Sequence, residues 1–246
     1  MSEAGLAGPY RALVVGARGA IGGAFIEALA ADPDCADVIG WSRGPTPAAN
    51  AAKVTMRDGV ELTNEASVAA AAAELPTELD LVLVASGALH GAGIQPEKSY
   101  RALEAANMAA IFAANAIGPA LVAKHSLGRL PRGRRSVWAA LSARVGSIGD
   151  NRLGGWHSYR ASKAALNMML RCWAIELART APQAVLVGLH PGTVASALSA
   201  PFQGNVAAEK LFTPAQSARF LLDALAARAP ADSGGVFDWA GTPIAP

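Results

Sequence analysis

Tyr159 and Lys163 stand four residues apart in the run YRASK, so on a helix they share one face. A free phenol has a pKa of about 10 and is a poor acid or base at neutral pH. An ammonium beside it favours the phenolate, and the spacing therefore predicts a tyrosine tuned for proton transfer. Upstream, Ser142 closes the strand-like run SVWAALS (136–142) and offers a hydroxyl to the same chemistry. Neighbouring side chains on a strand point to opposite faces, so a regular strand decides whether that hydroxyl reaches a substrate. Tyrosine and lysine also pair on ordinary surface helices. The surrounding elements must separate the two cases.

The first such element is a glycine turn. RALVVG (11–16) reads as a buried strand, and AIGGAFIEALAAD (20–32) as the helix after it. Gly16, Gly19 and Gly22 punctuate the junction, with Ala20 and Ile21 opening the helix. Such a turn allows a tight bend and aims helix amides at an anion, for which a dinucleotide pyrophosphate is the natural occupant. The spacing is G-x-x-G-x-x-G, not G-x-G-x-x-G, and a purely structural turn is the alternative. The second strand ends in GWSRG. A carboxylate there would bond a ribose 2′-hydroxyl, whereas Ser42 and Arg43 suit a 2′-phosphate, with Arg18 in reach from the glycine turn. NADP(H) is favoured over NAD(H); two exposed surface arginines are the competing explanation.

Along the chain, short apolar runs alternate with Ala-rich helical stretches. Strands are expected at DVIGW (37–41), GVEL (59–62), LDLVLVAS (79–86), SVWAALS (136–142), AVLVGLH (184–190) and GVFDW (235–239). Helices are expected at 64–75, about 101–125, 158–180 and near 214–229. This pattern predicts an α/β fold: one Rossmann-like domain over 1–246, a doubly wound parallel sheet with helices on both faces. The segment 193–212 has no clear period, and a long loop in a compact domain is often a functional lid.

Composition narrows the classes. The 246 residues are 52% hydrophobic and 16% charged, with a net charge of +2, which makes no case for a nucleic-acid or membrane-surface partner. RLPRGRR (129–135) is expected to be a solvated loop before a strand. Cys35 and Cys172 form no metal or disulfide spacing and suit a reducing cytosol. No leader is evident at the N-terminus, and no stretch is expected to reach the roughly 18 uncharged apolar residues of a membrane span. A cytoplasmic protein is the expectation.

GARGAIG, ANAIGP (114–119), YRASK and HPGTV (190–194) together resemble the short-chain dehydrogenase/reductase family over nearly the whole chain. YRASKAALNM and GGVFDWAGTPI are most similar to the carbonyl-reductase-like members grouped with the C-factor. The resemblance implies an NADP-dependent oxidoreductase in which Tyr159 exchanges a proton with the substrate oxygen. It implies that Lys163 bonds the nicotinamide ribose and that Asn115 holds a water in a proton relay. Pro191, Gly192 and Val194 would line the nicotinamide pocket, with Ser196 near the carboxamide. VASG (84–87) stands where the family has Asn-Asn-Ala-Gly, making Ala85, Ser86 and Gly87 cofactor neighbours, and Glu61 beside Leu62 stands where an Asp usually faces adenine. Aligned on Gly146, the family's catalytic serine falls on Ala143 and its neighbour on Ser142. A bulge turning Ser142 inward, a contribution from Ser147, a water or backbone substitute, and a Ser142 that bonds only within the fold are all open.

The same layout puts Leu89, Trp156, His157, Val194, Leu198 and Phe202 around a small or medium apolar carbonyl or alcohol substrate. It also implies a homodimer or homotetramer through the long helices. An NADP(H)-binding regulatory or signalling protein with vestigial catalysis is the alternative function.

Overall fold

The computed structural model describes residues 4–46, 51–91 and 93–246. Strand β1 (Tyr10–Val15) shows why the sheet lies at the centre: Arg11 is exposed and the other five residues are buried. On one face, Ala12 and Val14 meet Phe25 and Leu29 of α1 (Ala20–Ala31) and Leu221 and Leu225 of α6 (Pro214–Ala226). On the other, Leu13 and Val15 meet Val68 of α2 (Glu65–Ala73), Val122 of α4 (Gly118–Ser126), and Leu166 and Leu170 of α5 (His157–Leu177). A strand buried on both faces is the signature of a parallel sheet sandwiched by helices. The remaining strands are β2 (Cys35–Trp41), β3 (Val54–Arg57), β4 (Leu81–Val84), β5 (Ser136–Leu141), β6 (Ala184–His190) and β9 (Val236–Asp238). All seven pair in parallel, in the order β3-β2-β1-β4-β5-β6-β9. This is the expected doubly wound sheet, and its order reverses between β1 and β4, where ligands bind in such folds.

Three expectations need correction. GVEL is not a strand: Gly59 adopts φ +76 and turns the chain, and β3 forms instead from the half-exposed VTMR. RLPRGRR is not merely solvated. Arg129 donates to the carbonyls of Ala72, Leu75 and Pro76 at the end of α2, where a cation opposes the helix dipole. Arg134 pairs with Glu78 and Asp80, and Arg135 bonds the carbonyls of Leu225 and Arg228 at the C-terminal end of α6.

The third correction concerns the helix beside α5. It runs through α3 (Ala105–Phe112), one π turn (Ala113–Ile117) and α4, and residues 105–123 carry no charged side chain. By length and composition, 105–129 is apolar enough to cross a membrane. One side of it, with Ile111, Asn115, Ala116, Val122 and Ala123, is buried against the sheet layer and α5, and about a third of the apolar stretch is buried in all. After β6 the chain forms β7 (Thr193–Val194), which pairs with β8 (Leu211–Phe212), and 3₁₀ turns span 200–205 and 208–210 between them.

Candidate active site

A cleft of about 620 Å³ opens at the C-terminal ends of β1, β2 and β4, lined by the glycine turn, the loop after β2 and residues 85–88. Gly16 leaves β1 at φ +84, and a Cβ there would lie 2.9 Å from Ser86 N. A Cβ on Gly22 would lie 2.1 Å from Gly16 O, so the turn folds back on α1 too closely for any side chain. The first turn of α1 has no side-chain cap, leaving its amides for a ligand. Ser86, in the cleft wall, has a buried hydroxyl without a hydrogen-bond partner, the kind of atom a bound polar group satisfies. The cleft therefore fits the phosphates and ribose of a dinucleotide.

At its far end Arg18 and Arg43 are exposed and line the cleft, and the Arg18 guanidinium lies against Gly44, where a Cβ would sit 2.5 Å from Nη1. Ser42 differs from its expected part. Its hydroxyl is buried and donates to Asp58 at 2.6 Å, and Asp58 also accepts from the Thr46 amide at 3.1 Å and hydroxyl at 2.8 Å. These bonds, Ser42 first, hold the Asp58 carboxyl below its ordinary range. Ser42 thus fastens the loop after β2 while lining the cleft beside the two arginines. Glu61 accepts from the amide and hydroxyl of Thr63 within its own loop, beside Leu62 in the cleft wall.

At the other end the π turn carries Asn115, which is fully buried. Its amide nitrogen donates to Ala88 O and its oxygen accepts from Ala88 N, both at 2.8 Å, and it also donates to Ser162 Oγ at 3.1 Å. Asn115 thereby clamps the loop after β4 to α5; π turns inside helices recur at functional sites. A Cβ on Gly87 would lie 3.1 Å from Asn115 Oδ1 and 3.4 Å from Lys163 Nζ, so the chain passes close to both.

Lys163 is buried and donates to Leu141 O at 2.7 Å, with Nζ 5.8 Å from the centre of the Tyr159 ring. Burial pushes the Tyr159 phenol up to about 12 and the Lys163 ammonium down to about 8. The expected lowering of the tyrosine by its lysine is therefore not seen in the protein alone, where desolvation raises the phenol.

Neither serine is free. β5 runs regularly to its end without a bulge, and Ser142 donates to Asn167 of α5 at 2.6 Å. Ser147 donates to Pro246 O at 3.3 Å and accepts from Asp150 N at 3.0 Å. Ala143, between them in sequence, is buried and extended. Past β6, Pro191 O accepts from Ser217 of α6 at 3.0 Å, and Gly192 sits against the rings of Phe212 and Trp239. Val194 is buried, its carbonyl accepting from Ser199, and Ser196 Oγ lies 3.3 Å from Ser199 Oγ.

An aromatic row covers the tyrosine. Trp156 lies 6.2 Å from Tyr159 and 4.9 Å from Phe202, centre to centre, and His90 lies 5.7 Å from Phe202. Leu89 is buried beneath, Leu198 lines the cleft, and His157 opens α5. Trp156 adopts φ +51, a left-handed conformation rare for a bulky residue. Glu97, which no sequence signal marked, holds this corner: its carboxylate accepts from the amide and hydroxyl of Ser158, and its carbonyl from Trp156 N. Burial raises Glu97, but these bonds and nearby His157 outweigh it and keep the carboxyl below its usual range. The Gly-Gly pair before Trp156 was the available hint of a left-handed run.

Comparison with known proteins agrees with this geometry. Residues 10–206 match the short chain dehydrogenase family model. A 1-hydroxy-2-glutathionyl-2-methyl-3-butene dehydrogenase from Rhodococcus sp. (strain AD45) is 33% identical over 187 residues, covering 75% of this chain and 77% of the relative. C-signal from Myxococcus xanthus is 35% identical over 140 residues, covering 56% and 78%. The NADPH-bound carbonyl reductase from chicken fatty liver superposes with a TM-score of 0.82 at 25% identity, over 98% of this chain and 100% of that one. With a seven-stranded parallel sheet, a glycine turn into α1 and a Tyr-Lys pair on α5, the chain belongs to the short-chain dehydrogenase/reductase family of oxidoreductases.

Proposed function

We propose that the protein is an NADPH-dependent reductase of small or medium apolar aldehydes and ketones, with Tyr159 as the proton donor. The observation that carries this reading is a half-buried phenol, held protonated at neutral pH by desolvation, under an aromatic cover and one helical turn from a buried lysine. A bound nicotinamide supplies the hydride. Tyr159 gives its proton to the carbonyl oxygen, and the Lys163 ammonium, charged below about pH 8, stabilises the phenolate left behind. Asn115 keeps the loop after β4 and α5 in register with both. Arg18 and Arg43 select the 2′-phosphate by paired hydrogen bonds, and the helix start at Gly19–Gly22 takes the pyrophosphate. Trp156 and Phe202 exclude water and favour an apolar substrate.

With Ser142 and Ser147 committed elsewhere, a backbone amide or water orients the carbonyl. An oxyanion donor is worth on the order of 10²–10³ in rate, so a slow reductase is expected. Those committed hydroxyls also favour a second reading, an NADP(H)-binding signalling protein, and C-signal is among the relatives. NADPH and NADH oxidation against a panel of aldehydes, ketones and diones separates them. Turnover with NADPH supports the reductase; tight NADPH binding with none across the panel supports the signalling role. The protein would act in the cytoplasm, where its free thiols Cys35 and Cys172 stay reduced, as a homo-oligomer through α3–α5.

A further inference from the structure

The segment 195–210 hangs from the two-stranded ribbon β7–β8, where Ala195 N donates to Phe212 O. Inside it Ser199 bonds Val194 O and Gln203 bonds Ser199 at 2.7 Å, so the segment is internally hydrogen-bonded. Ala197 and Leu198 form one wall of the cofactor cleft, and Ala88, His90 and Gly91 form the facing part. His90 Nε2 and Leu198 O are 3.0 Å apart, and the His90 ring meets Phe202 edge-on. A carbonyl oxygen only accepts, so Nε2 must carry the proton.

The geometry points to His90 as a latch that holds the 195–205 segment shut over Tyr159 and the nicotinamide end of the cleft. His90 is a positioning residue: it fastens Leu198 and Phe202, and Phe202 in turn covers Trp156 and Tyr159. This inference rests on the proposed cofactor site, and its consequence is that latch opening paces NADPH entry and release. Lids of this kind set turnover in many enzymes.

His90→Phe keeps a ring against Phe202 and loses the donor, while His90→Gln keeps a donor and loses the ring. Two readouts are compared with wild type: chymotryptic cleavage after Leu198 or Phe202 in the free protein, and the NADPH dissociation rate from fluorescence. His90→Phe is expected to be cleaved and to release NADPH about fivefold faster, the factor implied by one hydrogen bond's net worth, with His90→Gln close to wild type. Both variants behaving as wild type, or both loosened alike, overturns the latch. If none of the three proteins binds NADPH, the cofactor reading fails, and the cleavage pattern still decides the latch.

Discussion

Tyr159 holds its proton at neutral pH because desolvation raises its phenol, and this suits reduction, where the phenol must donate. Lys163 gives the matching pH signature. Its burial-lowered pKa of about 8 means kcat/KM for NADPH falls as pH rises through that value, as the ammonium that stabilises the phenolate is lost. Stability moves the opposite way. The unfolded chain binds this proton more tightly than the folded one, so the group adds stability as pH climbs from about 8 toward its ordinary 10.5 and adds none below. Lys163→Met should abolish both trends; parallel pH–rate and thermal-unfolding profiles check them. The serines predict a second contrast. Ser142→Ala removes the bond to Asn167 and should cost about 1 kcal/mol of stability with less than a tenfold change in kcat. A loss of on the order of 10²–10³ in kcat would instead restore Ser142 as the oxyanion donor. The serine question was legible in sequence because strand alternation poses it. The partners were not, since Asn167 and Pro246 meet the two serines only in three dimensions.

Elements read best where both faces are buried. β1, β4, β5 and β6 are predominantly apolar and stand close to where the sequence puts them. β3 was misplaced because an edge strand with alternating half-exposure looks no more strand-like than GVEL after Gly59. The arginines of 129–135 were misread for a related reason: their acceptors are helix-end carbonyls from α2 and α6, which spacing alone cannot locate. Glu97 shows the same limit at the start of α5, where a carboxylate 61 residues upstream satisfies the Ser158 amide. As an N-terminal cap for the helix that carries Tyr159 and Lys163, it predicts that Glu97→Ala costs about 1–2 kcal/mol. Chemical denaturation measures this. An unchanged midpoint would mean the Trp156 corner is held by packing alone.

In the whole molecule, the sheet supplies a rigid edge, the π turn and Gly87 bring α3–α5 against the loop after β4, and Arg18 and Arg43 stand at the far end of the cleft. The outer faces of the same helices leave Ile117, Met168 and Ile175 more than half exposed. If the proposed dimer or tetramer forms through this face, Met168→Glu with Ile175→Glu should shift the protein to the mass of one chain in light scattering; identical masses for mutant and wild type would remove this face from the assembly. The most direct test of the central claim is single-turnover NADPH oxidation with an apolar aldehyde or ketone from the panel, comparing wild type with Tyr159→Phe. The account predicts a rate lower by roughly 10²–10⁴ in the mutant with NADPH affinity retained. Equal rates in the two proteins would contradict it.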